Sequence, residues 1–148
     1  MRNYLNQFSE YDRLFGDDGL ITKLDVIISS VGPPHSDSVI TQRLYDLADF
    51  PQMELPLIGD MAGIPLLDNT KASNSIRNAV AAFEEDSLIG IRSALIRATL
   101  SKKNGRVVVA ACDEPTRAEC IRELLNRGLV TDLLIDTVAA NRLAVLLQ

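Results

Sequence analysis

Apolar β-branched runs alternate along this chain with stretches whose apolar residues recur every three or four positions. Residues 107–109, all valine and extended by Ala110, Ala111 and Cys112, predict a strand of the kind that is buried on both faces in a parallel sheet. Polar residues follow at once. Asp113 or Glu114 suits a helix cap and Pro115 its first turn, while Cys120, Ile121, Leu124 and Leu125 keep a helical period that Gly128 ends. The same strand, loop and helix order occurs earlier. Residues 24–31 predict a buried strand; Gly32, Pro33, Pro34 and His35 stop it; and Ser36 or Asp37 caps a helix to about residue 49, with Ile40, Leu44, Leu47 and Ala48 as its inward stripe. It occurs again at the end, where residues 132–135 predict a strand and Asp136 caps a helix over residues 137–147 with Ala140, Leu143 and Leu147 inward.

Between these units the pattern is weaker. Residues 1–23 predict a short helix followed by a loop at Gly16, Asp17, Asp18 and Gly19. After a turn at Pro51, residues 55–60 predict a short strand, and extended apolar character resumes over residues 61–67. Ile76, Ala79, Val80 and Phe83 give one helix over residues 75–84, read as a surface insertion between loop-like flanks. A short strand over residues 88–91 and a helix from Ser93 to about Lys103 complete the pattern. Strands alternating with helices in this way predict an α/β fold, a mostly parallel sheet covered by helices. Its right-handed crossovers place the polar loops on one rim, the rim where open α/β sheets bind ligands.

Composition narrows the function. At 148 residues and 47% hydrophobic content the chain is read as a single domain, residues 1–148, with its own core. A net charge of −5, with scattered Lys and Arg, opposes phosphate-backbone binding by this chain alone. No apolar run approaches a membrane span, and residues 1–16 lack the core of a signal peptide, so the expectation is a cytoplasmic protein with no membrane partner. Cys112 and Cys120 are read as buried small apolar residues, since they fit neither a disulfide framework nor a zinc or C-x-x-C pattern.

Candidate chemistry therefore rests on loop residues. Gly59 and Gly63 allow close approach of the backbone to a ligand or a neighbour. Asp60 is either an acceptor for vicinal sugar hydroxyls or a turn aspartate that caps local amides. Arg117, in the first turn of its helix, is either a clamp for an anion or a surface arginine paired with Asp113 or Glu114. His35 is the only histidine, and a lone loop histidine without Cys or carboxylate neighbours at ligand spacing points to no metal site. Neither a G-x-G-x-x-G nor a G-x-x-x-x-G-K-[ST] pattern occurs, no serine has an identifiable base and acid, and no cofactor or catalytic residue is expected.

Taken together, LDVIISSVGPPHSDS, IGDMAGIPL and GRVVVAACDEPTRAECIRELLNRGLVTDLLIDTVAANRLAVLL closely resemble the effector-binding domain of SorC-type bacterial transcriptional regulators, a sugar-sensing family related to DeoR regulators. The resemblance covers about residues 24–147. It implies a three-layer fold like that of the ribose-phosphate isomerase and glucosamine-phosphate deaminase superfamily (NagB/RpiA/CoA-transferase-like), turned from catalysis to sensing. It also implies a homo-oligomer, a small carbohydrate or sugar phosphate as ligand, and DNA binding only through a separate helix-turn-helix domain. By this resemblance Gly32 and Ser36 belong to the first ligand loop, Gly59 and Asp60 match a Gly-Asp or Gly-Glu pair, and Arg117 matches a basic residue of the pocket. Where the family usually has a Gly-Gly pair before that basic residue, this chain has Asp113 and Glu114. Two unit charges about 4 Å apart interact by roughly 4 kcal/mol at an effective dielectric of 20, so carboxylates there favour a neutral sugar or polyol over a phosphate. The chain begins after the position of the family's helix-turn-helix, and the expectation is a carboxyl-terminal part of the sensor domain. The alternative is a sugar-phosphate isomerase or deaminase of the same superfold, with Asp60 as its acid or base.

Overall fold

Among the described residues the strands form two small sheets rather than one. The computed structural model describes residues 2–5, 7–16, 18–33, 39–48, 55–88, 90–112 and 116–148. In chain order, α1 (Arg2–Leu5), α2 (Ser9–Phe15) and a 3-10 turn (Leu20–Lys23) precede β1 (Val26–Ser29), β2 (Val31–Gly32) and α3 (Val39–Ala48). A hairpin of β3 (Leu57–Met61) and β4 (Ile64–Leu67) leads to α4 (Asn74–Ser87) and α5 (Ser93–Leu100). The chain closes with β5 (Arg106–Ala111), α6 (Arg117–Asn126), β6 (Asp132–Ile135) and α7 (Thr137–Leu146). Strands β1, β5 and β6 pair in parallel in that order, and helices flank them in a layered α/β arrangement; β2, β3 and β4 form a separate antiparallel sheet. A mostly parallel sheet therefore describes the first sheet and not the second.

The 24–31 segment, expected as one strand, is divided at Ser30. Ile27 and Val31 are both buried, so the alternation of inward residues runs on without a break while the pairing partner changes from β5 to β3. A period of two encodes the face of a strand and carries no information about its neighbour. The inward residues Ile27, Val107 and Val109 pack with Leu95 and Ile96 of α5, Ile121 and Leu124 of α6, and Leu143 of α7. The opposite face of the parallel sheet is open among the described residues: Ile28 is 68% and Leu134 69% exposed, against 2% for Ile27. On β5 itself the outward Val108 and Ala110 are half-buried against the fully buried Val107 and Val109, so the burial on both faces expected for the valine run is incomplete among the described residues.

Helix α4 is not a surface decoration. Its Val80 and Phe83 join Leu44 of α3 and Leu67 of β4 in a second core cluster, which lies against the antiparallel sheet. Along β4 the side chains divide between the clusters, Ile64 and Leu66 facing the first and Leu67 the second. The loop before α4 is ordered: Asp68 accepts from the amide and hydroxyl of Thr70, and those bonds with Lys71 hold its carboxyl down near 2. Ser73 then caps the helix by accepting from the Ile76 amide. The strand expected over residues 88–91 does not form at Leu88, Gly90 or Ile91; Leu88 and Ile91 instead pack on the core, and the Glu84 carboxylate accepts from the amide and hydroxyl of Ser93 to tie α4 to α5. Helix α5 ends at Leu100, short of Lys103. The carboxyl-terminal strand and helix form where the pattern places them, with the Asp136 side chain capping α7 through the Ala139 amide, but the buried residues of α7 are Ala139 and Leu143, while Leu147, expected inward, is exposed. No helix among the described residues is long and apolar enough to cross a membrane.

The one-sided sheet makes a direct prediction for neighbouring isoleucines. Ile27→Ala should cost about 2–5 kcal/mol in urea unfolding, as large-to-small core changes do, whereas Ile28→Ala should stay within about 1 kcal/mol. Equal losses would mean that the outer face is covered.

Candidate functional site

Strands β1 and β5 run side by side, so their carboxyl ends reach the same rim. At that rim β1 passes through Ser30 into β2, and β5 ends beside Cys112, ahead of α6. The guanidinium of Arg117, first residue of α6, folds back over the end of β5: its Nη1 lies 3.2 Å from Cys112 Sγ and 3.5 Å from the Cys112 carbonyl. One helical turn later, on the same helix face, Cys120 is fully buried against the antiparallel sheet. Its thiol donates to the Ile58 carbonyl at 3.1 Å and reaches the Gly32 carbonyl at 3.6 Å.

That contact needs two glycines. A Cβ on Gly59 would collide with both the Gly32 carbonyl oxygen and Cys120 Sγ, and a Cβ on Gly32 would collide with Asp60 Oδ2. Gly32 and Asp60 are register partners across β2 and β3, so the carboxylate lies directly over the bare glycine. The other carboxylate oxygen, Oδ1, accepts from the Gly63 amide at 2.9 Å. Ala62 (φ 55) and Gly63 (φ 82) form the two-residue turn of the β3–β4 hairpin, and positive φ at both positions is the pattern of a type I′ turn. Asp60 thus caps its own turn with one oxygen and presents the other above Gly32.

Four of the residues expected at the site, Gly32, Gly59, Asp60 and Gly63, form one contiguous cluster. Arg117 stands at the head of the helix that Cys120 fastens to this cluster. Ser36 and Asp113, together with His35 and Glu114, lie outside the described residues. Cys120 was expected only as core packing, and the signal of a second role is its spacing of three from Arg117 on one helix face. Burial pushes the Cys120 thiol up from 9.0 to about 11; the Asp60 carboxylate adds to the rise, as does Glu119, while the residue's own backbone amide and Arg117 oppose it. A buried thiol protonated at neutral pH is a hydrogen-bond donor and not a nucleophile. Among the described residues, no group of three or more His, Cys, Asp and Glu is arranged to hold a metal ion.

The rim therefore offers an acceptor carboxylate and a donor guanidinium, both near enough to the Cys120 thiol to act on its charge. A separate cavity of about 240 Å³ lies elsewhere, between β4 and helices α4, α5 and α6, and none of the residues expected at the site lines it. Its polar lining includes Arg77, Arg97 and Arg127, which sequence reasoning missed because they come from three distant segments.

Thiol labelling tests the junction. At pH 8 the exposed Cys112 should react with a maleimide in the folded protein, and Cys120 should react only on unfolding. The raised thiol pKa also carries a sign: the folded state holds the proton more tightly, so its contribution is complete below pH 9 and is lost as pH rises towards 11, a loss of at most about 2–3 kcal/mol. In Cys120→Ala that alkaline component should disappear. Rapid labelling of Cys120 in the folded state would contradict the arrangement. Compared with family models, with curated proteins and with solved structures, the chain matches none.

Proposed function

We propose that this chain is the effector-binding domain of a sugar-responsive, DNA-binding transcription regulator of the SorC type, with a layered fold of the ribose-phosphate isomerase and glucosamine-phosphate deaminase kind. The observation that carries the reading is the position of Asp60. Its carboxylate is fixed by the Gly63 amide and lies over Gly32, at the rim where β1 and β5 end and Arg117 heads α6. A carboxylate accepts from two hydroxyls and a guanidinium donates in a planar fork, so the pair suits the alternating donors and acceptors of a small carbohydrate. Each charge-assisted bond contributes roughly 1.5–3 kcal/mol.

In this reading Asp113 and Glu114 turn the preference towards a neutral sugar or polyol, and Ser36, which follows β2 in the sequence, adds a hydroxyl for the ligand. The domain acts in a cytoplasmic homo-oligomer and reaches DNA only through a separate helix-turn-helix domain. Regulation follows from unequal affinity of the sugar for two conformations, since a ligand shifts an equilibrium only by its differential affinity.

Thermal melting across a panel of sugars, polyols and sugar phosphates tests the proposal. A ligand at a hundredfold excess over Kd stabilises by about 2.7 kcal/mol, which for a domain of this size raises Tm by about 5–10 °C. Asp60→Ala should abolish that rise, and Arg117→Gln should reduce it. A panel that gives no shift would overturn carbohydrate binding, an unchanged affinity in Asp60→Ala would remove Asp60 from the site, and turnover of a sugar phosphate would assign the protein to the enzymes of the same superfold.

A further inference from the structure

The chain is acidic, with 20 Asp and Glu against 15 Lys and Arg, yet the cavity between β4 and helices α4, α5 and α6 has the opposite balance. Three arginines line it, Arg77 from α4, Arg97 from α5 and Arg127 just after α6, above an apolar wall that includes Leu66, Ile96 and Leu124. Among the described residues Glu84 is the one carboxylate in the lining, and both its oxygens are engaged by the amide and hydroxyl of Ser93 at 2.9 Å.

The arginines are not equivalent. Arg127 is committed to structure: its Nε donates to Glu123 at 2.7 Å and its Nη2 to the Leu67 carbonyl. Arg77 donates only to a backbone carbonyl, that of Asn69, at 2.9 Å, and among the described residues neither Arg77 nor Arg97 lies within ion-pair distance of a carboxylate. Two guanidinium groups without carboxylate partners thus border one apolar hollow. An anion in the hollow is attracted to both, and the apolar wall rewards a hydrophobic body attached to that anion.

We infer that this cavity is a binding site for a small amphipathic anion, whose carboxylate or phosphate head lies between Arg77 and Arg97 and whose compact apolar body rests on Leu66, Ile96 and Leu124. About 240 Å³ is below the roughly 300–1,000 Å³ of pockets for drug-sized ligands, so the body is limited to a single ring or a short alkyl chain. None of the residues proposed to hold the carbohydrate lines this site, and the inference is independent of that reading.

Calorimetric titration of the full chain with phenyl phosphate, benzoate, inorganic phosphate and phenol tests both halves of the ligand. Phenyl phosphate or benzoate should bind at least tenfold more tightly than either inorganic phosphate or phenol, and more weakly as salt is raised. The double variant Arg77→Gln, Arg97→Gln alters two exposed side chains and should fold normally, with binding of the same probe weakened at least tenfold. Absence of binding by both organic anions, equal binding of phenol, equal binding of inorganic phosphate, or unchanged affinity in the double variant would each overturn the assignment.

Discussion

The thiol of Cys120 sits against a seam that only side-chain-free backbone can form. On one side is helix α6, which belongs to the parallel β1-β5-β6 layer through Ile121 and Leu124; on the other are β2 and β3 of the antiparallel sheet. Gly59 brings the β3 backbone so near that the sulfur and the Gly32 carbonyl occupy the space a Cβ would need. The thiol then donates to the Ile58 carbonyl, which puts a polar atom of a buried side chain to use. Because β2 is only two residues long, its pairing with β3 has little ladder of its own, and the packing of α6 across Gly32 and Gly59 supplies the remaining constraint. The position of Asp60 follows from the same contact, since its carboxylate occupies the space left by the missing Cβ of Gly32.

Much of the fold was legible where local signals agreed with one another. Asp132–Ile135, the Asp136 cap and the helix beyond it formed where alternation and capping chemistry placed them, and Gly128, with φ 63, follows the end of α6 as a left-handed stop. The misreadings share one cause, that hydrophobicity reports burial without naming the partner. Ile27, Ser29 and Val31 keep a single alternation through a change of sheet, and Leu88 and Ile91 are apolar because they cover the core, not because they pair. Helix α4 has the periodicity of an amphipathic helix, but nothing in the spacing of Ala79, Val80 and Phe83 states that Leu44 and Leu67 lie opposite. The valine run of β5 likewise gave no sign that Ile28 and Leu134, on the strands beside it, are exposed among the described residues.

The candidate site divides along the same line. Gly59, Asp60 and Gly63 were legible because a Gly-Asp pair followed by a second glycine is turn chemistry, and the two roles considered for Asp60 are carried by its two oxygens, one capping the turn and one facing Gly32. Cys120 was legible as buried but not as a donor to the Ile58 carbonyl beside the Gly32 carbonyl, because these partners are 62 and 88 residues away in the chain. The arginine-lined cavity was illegible: residues 77, 97 and 127 meet only through the packing of α4, α5 and α6, and a sequence with scattered basic residues gives no warning of which of them converge.

The most direct test of the seam is a double-mutant cycle of Gly59→Ala and Cys120→Ala, followed by urea unfolding. If the sulfur and the glycine are in the contact described, the added methyl collides with Sγ in the parent and less so once Sγ is removed. The cost of Gly59→Ala should then fall by more than about 1 kcal/mol in the Cys120→Ala background, the coupling expected of directly touching residues. Costs that add to within about 0.5 kcal/mol would show that α6 and β3 do not meet at this point, and would contradict the account of how the two sheets are joined.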